Sequence, residues 1–287
     1  MFRTILVAAS IAFTFSTAYA QQPLTVKVYN ADTNSFNVNS TLIYGQKEAM
    51  VIDAGFTRAD ALRIAANVLD SGKQLTTIYV SQADPDYYFG VEVLKEIFPN
   101  AKVVTTAAVL AKLTAKHTGK IGFWAPKMGA NAPRTPVLPN AIDGNTLTVD
   151  GEKIEIRGTS GLLAHRPYAW VPSIKAVVGN IGVFNQLHVW TADTQTVAER
   201  NAWIAQLDEM SALQPTIVVP GHQQTGATMD ASSIKFTKTY LQTFEKNLAA
   251  SKNSAELIEA MNKAFPSNGG AMVLEIGAKV NKGEMKW

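Results

Sequence analysis

Val80-Ser81-Gln82-Ala83-Asp84-Pro85-Asp86-Tyr87-Tyr88-Phe89-Gly90 is the segment on which the reading of this chain turns. The apolar run Thr76 to Val80 has the length of a buried strand and delivers the chain into a polar loop, Ser81 to Tyr87. A helix is expected from about Tyr88 to Phe98, closed by Pro99. Asp84 and Asp86 stand just before it, where carboxylates serve either as helix caps or as ligands.

The flanking sequence alternates strand-like and helix-like patterns. Thr41 to Tyr44 and Ala49 to Asp53 read as a hairpin around Gly45-Gln46-Lys47-Glu48. Thr57 caps a helix that Ser71-Gly72 ends. Beyond the loop, Lys102 to Thr105 reads as a strand, Ala107 to Lys116 as a helix, and Phe123 to Pro139 as a long structured loop. The pattern then repeats. A hairpin turns at Asp150-Gly151, strands span Tyr168–Val171 and Ala176–Gly179, and Thr196 and Glu199 match a capping box. A strand over Thr216–Val219 runs into Pro220-Gly221-His222, and the chain is mainly helical from Ser232. Two successive β-β-α-β halves imply an α+β, αββα sandwich.

Composition bounds the function. A formal charge of +3, with the basic residues scattered along the chain, excludes a polyanion footprint, so no nucleic-acid partner is expected. The absence of Cys excludes disulfides, thiolate metal sites and a cysteine nucleophile. Residues 1–20 read as a signal peptide: Arg3, an apolar run from Ile5, and Ala18-Tyr19-Ala20 as cleavage site. The mature chain then starts at Gln21 as a single domain, 21–287, secreted and periplasmic, with no later segment apolar enough to cross a membrane.

The loop resembles that of the metallo-β-lactamase superfamily, His-x-His-x-Asp-His followed by aromatic residues and Gly. Asp53-Ala54-Gly55 looks like the family's Asp-x-Gly, Tyr168 to Pro172 like the strand after its third ligand loop, Gly179-Asn180 like its Gly-Asp, and Pro220-Gly221-His222 like its closing Pro-Gly-His. The resemblance implies a dinuclear zinc hydrolase, and residue by residue this chain departs from it. The first two histidines fall on Gln82 and Asp84, the aspartate on Asp86, the next histidine on Tyr87, the third-loop histidine on Leu162 with His165 nearby, the bridging aspartate on Asn180 and the last histidine on His222. Asp86 and His222 alone keep the family residue.

A zinc hydrolase needs imidazole and carboxylate ligands that leave one position open for a water of lowered pKa. Gln82 offers a neutral amide, Tyr87 a phenol and Asn180 no charge. Asp84, Asp86, His222 and His165 could hold one divalent ion, Zn, Mn or Mg, with Gln82 and Asn180 at its margin; a metal-free site is the alternative. Asp53 reads as a support beneath the site. Asp86, Tyr87 and His188 are the candidates for acid–base work, although a lone His188 is more often a packed residue. His117 reads as a surface residue, and Trp124, Trp170 and Trp190 as core or cleft lining. Two functions stay open: a hydrolase of a lactone, β-lactam or other ester or amide, or a non-catalytic member of the fold that binds a small-molecule ligand or partner. The helices after Ser232 either close the pocket or form a dimer face.

Overall fold

The computed structural model describes residues 22–287, so the expected signal segment lies outside the described residues. The first half runs β1 (Thr25–Asn30), β2 (Asn39–Tyr44), β3 (Glu48–Ile52), α1 (Arg58–Ser71), β4 (Gln74–Tyr79), α2 (Pro85–Tyr88), α3 (Val91–Ile97), β5 (Lys102–Thr105), α4 (Ala107–Met128) and β6 (Asn140–Ala141). The second runs β7 (Thr146–Val149), β8 (Glu152–Arg157), β9 (Tyr168–Val171), β10 (Ala176–Val178), β11 (Phe184–Asn185), α5 (Val197–Ala212), β12 (Ile217–Val218) and β13 (His222–Gln223). Three helices finish it: α6 (Ser232–Ala250), α7 (Ser254–Ala264) and α8 (Ala271–Asn281).

Two sheets form, in the orders β1-β2-β3-β4-β5-β6 and β12-β10-β9-β8-β7, with β11 and β13 paired apart. Period-two alternation sorts their side chains into layers. On β3, Met50 and Ile52 join the core shared by the two sheets, while Ala49 and Val51 face the layer containing Ile64, Val68, Leu94 and Leu113. On β9 and β10, Ala169, Val171 and Val178 point into the shared core; Tyr168, Trp170 and Val177 meet Trp203, Leu207 and Tyr240 on the other side. Strands apolar on both faces therefore carry helices on both outer surfaces, and the architecture is the expected αββα sandwich.

The local signals explain the element ends. Thr57 and Asp60 make a reciprocal capping box at the start of α1, and Gly72 closes it in the left-handed region at φ 65°. Thr196 and Glu199 do the same at the start of α5. Asp150 and Gly151 both have positive φ, as a two-residue turn between β7 and β8 requires.

Two expectations need correction. The helix expected over Tyr88 to Phe98 is broken into α2 and α3 at Gly90, whose N–H bonds the Gly55 carbonyl. A Cβ there would lie 2.0 Å from the Ala54 oxygen, so the segment must bend onto the β3–α1 turn. The helix expected to stop at Lys116 continues to Met128, taking in the first residues, 123–128, of what read as a loop. Pro126, in its last turn, withholds the N–H that would bond the carbonyl four residues back, and the partial burial of Ile121, Trp124 and Met128 against the core offsets that loss.

Candidate functional site

Four chain reversals meet at one edge of the sandwich, each leaving the C-terminal end of a buried strand: β3 into Asp53, β4 into Gln82–Asp86, β10 into Asn180 and β12 into His222. Asp53 adopts φ 66°, a conformation that Asp tolerates better than most residues, and its N–H bonds the Tyr79 carbonyl. Its carboxyl accepts the Ser81 N–H at 2.7 Å and the Ser81 hydroxyl at 2.8 Å, pinning the first residue of the loop. Burial nevertheless pushes Asp53 up to about 8.

Asp86 and His222 face each other at 3.5 Å. The His222 Nδ1–H donates to the Phe36 carbonyl at 2.9 Å, which leaves Nε2 as the bare nitrogen towards Asp86. Burial, reinforced by the Asp84 charge, pushes Asp86 up to about 8, and burial pulls His222 down to about 4. Both shifts favour the uncharged forms, so burial works against an ion pair at this contact. Phe184 stacks on the His222 ring at 5.1 Å and holds its plane.

Asp84 turns the other way. Its side chain makes no cap bond to α2; instead the Lys120 ammonium lies 2.6 Å from Oδ1 and 2.8 Å from the Ala83 carbonyl. Although burial opposes it, that ammonium holds the Asp84 carboxyl below its usual range. Gln82 is buried and donates to the Pro167 carbonyl at 3.4 Å. Asp84, Gln82 and His165 line a cavity of about 30 Å³ with Lys112, Lys116, Lys120, Arg166 and Asp193. Burial, with Lys112 and Arg166 close by, draws His165 down to about 4, and its Nε2 has no hydrogen-bond partner.

The remaining candidates are dispersed. Tyr87 is fully buried, its hydroxyl unpartnered beside Gly221, and burial drives its pKa well above the ordinary phenol value. Asn180 sends its amide N–H to the Val219 carbonyl at 3.4 Å and leaves Oδ1 unpartnered. Leu162 is an exposed apolar side chain, 61% accessible, and supplies no ligand. His188 does not join the site: its ring bonds the Tyr240 hydroxyl at 3.0 Å, inside the C-terminal helical layer. His117 is not a free surface residue, since its Nδ1 meets the Tyr88 hydroxyl at 3.1 Å. Trp124, partly buried, packs edge-on against Phe36 and Phe56 at the margin of the core.

Among the described residues, no three His, Asp or Glu side chains gather as a metal-holding group. The expected set is divided: Asp86 and His222 face one another, whereas Asp84 and His165 line the cationic cavity. With one carboxylate held by an ammonium and a guanidinium nearby, the residues present do not fit a two-zinc centre.

Sequence reasoning missed the basic residues. Lys112, Lys116 and Lys120 recur every fourth position, so they share one face of α4, and that spacing was visible once the helix was carried past Lys116. Arg166 gave no local signal; only folding places it beside Trp203.

Residues 33–172 match the model of the metallo-beta-lactamase superfamily. Among solved structures, a metallo-beta-lactamase family protein from Thermus thermophilus superposes with a TM-score of 0.62 at 16% identity, covering 90% of this chain and 91% of that one. DIM-1 metallo-beta-lactamase, in a crystal exposed to ceftazidime, gives 0.52 at 18% identity over 77% of this chain and 92% of its own. VMB-1 gives 0.53 at 18% identity over 79% and 93%. At such identities the likeness is one of fold. No curated protein sequence matches the chain.

Proposed function

Taking the metallo-β-lactamase fold as premise, we propose that this protein binds a small molecule at the end of β4 without a two-metal centre. The observation that carries this reading is the Lys120–Asp84 ion pair: the protein's own ammonium sits on the loop where the superfamily places metal. Lys112, Lys116 and Arg166 add positive charge around it, which disfavours a divalent cation. The test is elemental analysis of the purified protein from Gln21 onward, before and after incubation with Zn, Mn and Mg. Metal-free, folded protein supports the reading. About one tightly held ion per chain, lost in Asp86→Ala or His222→Ala, would overturn it.

A hydrolase is the second reading, favoured by the Asp86–His222 contact, in which a buried acid faces an unprotonated ring nitrogen. It requires turnover of a lactone, β-lactam or other ester or amide that collapses in both Asp86→Asn and His222→Ala. Unchanged turnover in the two variants would dispose of it. Export to the periplasm is also proposed, on the composition of residues 1–20; a mature mass starting elsewhere than Gln21 would count against it.

A further inference from the structure

Arg166 is 4% exposed, and its guanidinium lies 4.0 Å from the Trp203 ring centre. Its Nη2 donates to the Ile181 carbonyl at 3.3 Å, and its own carbonyl accepts the Gln206 side-chain amide at 3.0 Å. The orientation is therefore set in advance by the fold. Its Nη1 has no hydrogen-bond partner, and no carboxylate comes within ion-pair distance of it among the described residues. Asp193 and Asp84 act on the guanidinium only from a distance, so it gives up hydration without a direct ion pair in return, which is costly.

Both acids of the cavity are already answered. Asp84 is held by Lys120 at 2.6 Å. Asp193 accepts the Trp190 indole N–H at 2.6 Å and the Trp287 indole N–H at 3.1 Å. Trp190 and Trp287 pack edge to face at 5.0 Å, each donating to that one carboxylate. Lys112 and Lys116 make no ion pair among the described residues and line the same cavity. The unanswered charge is thus positive, and it is directed at one small space.

We infer that this cavity is a receptor for the carboxylate end of a small molecule. In that arrangement the Arg166 Nη1–H donates to a carboxylate oxygen, His165 Nε2 borders it, and Lys112 and Lys116 neutralise it from α4. The cavity, about 30 Å³, takes no more than a small headgroup, so the body of the ligand lies outside it, beside α4 and the Gln82–Asp84 loop. The assignment rests on the metal-free binding reading above and names the ligand class for that same site.

The test is titration calorimetry of the full mature chain with acetate, benzoate and inorganic phosphate in chloride-free buffer. Metal content is measured on the same sample. Saturable benzoate or acetate binding, weakened at least about tenfold in Arg166→Gln and again in the double variant Lys112→Ala, Lys116→Ala, supports the proposal, a charge-assisted hydrogen bond being lost in the first. The lysines lie on an accessible helix face, so the double variant keeps the proposal testable if Arg166→Gln does not fold. Lys235→Ala, on α6, should bind as the parent does. Carboxylate binding that is equal in all variants, absent from parent protein that is metal-free as purified, or replaced by phosphate binding overturns the headgroup assignment alone. Anion binding that disappears when a tightly held metal is stripped overturns the metal-free reading with it.

Discussion

The ammonium of Lys120 and the carboxylate of Asp84 lie 2.6 Å apart, joining the middle of α4 to the loop after β4. The pair makes Asp84 a fixed anion with a tethered partner. Lys120→Met should therefore raise the Asp84 titration midpoint, read by carbon-13 NMR of the side-chain carboxyl. The stability cost should be modest, about 1 kcal/mol for a partly buried pair. An unmoved midpoint would mean that Arg166 and Lys116, not Lys120, hold the carboxylate charged.

Three buried groups and the half-buried His165 shape the pH profile of stability. Asp53 and Asp86 sit near 8 in the fold against an ordinary value of 3.8, so between those limits the native protein holds protons that the unfolded chain has released. Their contribution is complete below the unfolded value and is lost as pH rises through about 8. His165 and His222 run the opposite way, near 4 against 6.5, so their contribution is present above 6.5 and lost as pH falls through about 4. The two pairs oppose each other up to pH 6.5; above it the carboxyls act alone. Urea unfolding should show stability declining from pH 6.5 to 8, by at most about 1.4 kcal/mol per pH unit for each carboxyl. Asp53→Asn should flatten the decline, because an amide keeps an acceptor for the Ser81 N–H and offers a donor to its hydroxyl. A level profile in the parent would show that neither acid is protonated in the native state.

The αββα order was legible because its signals are local. Thr57 with Asp60, Thr196 with Glu199 and the Asp150-Gly151 turn each act within a few residues, and the apolar runs at β3 and β10 are short and continuous. The site was legible only as positions along the chain. Whether Asp84 meets a metal or Lys120 depends on a residue 36 positions later and on a helix that passes the expected stop at Lys116. His188 looked available in sequence because nothing local reveals Tyr240, which lies 52 residues on. Buried polar partners of that separation are chosen by packing, and no pattern of period two or 3.6 reports them.

Two glycines separate the reasons for keeping that residue. Gly90 has φ −74°, so its backbone suits any amino acid, yet a Cβ would come within 2.0 Å of the Ala54 oxygen and 2.8 Å of the Ala61 Cβ. Gly90→Ala should cost about 1–3 kcal/mol by forcing the α2–α3 bend off the β3–α1 turn. Gly119, inside α4, has open space for a methyl group, with nothing within 4 Å of where a Cβ would sit. Gly119→Ala should stabilise by roughly 0.5–1 kcal/mol, since alanine loses less backbone freedom on entering a helix. Thermal unfolding of both variants decides it; equal effects would contradict the steric account of Gly90.

Tyr87 is the position at which the sequence resemblance expects a ligand, and its fully buried hydroxyl, 2.6 Å from where a Cβ on Gly221 would sit, has no hydrogen-bond partner. A buried hydroxyl left unpaired costs about 1–3 kcal/mol, so removing it while keeping the ring should not destabilise the fold. Tyr87→Phe is expected to melt at or above the parent temperature. The ring keeps its edge-to-face contact with His222 at 5.7 Å, so the Asp86–His222 pairing should survive. A purely packing role predicts unchanged benzoate affinity and unchanged turnover of any ester or amide substrate. A drop of about tenfold or more in turnover with the melting temperature preserved would instead assign the Tyr87 hydroxyl to the chemistry, as the acid–base expectation from sequence requires.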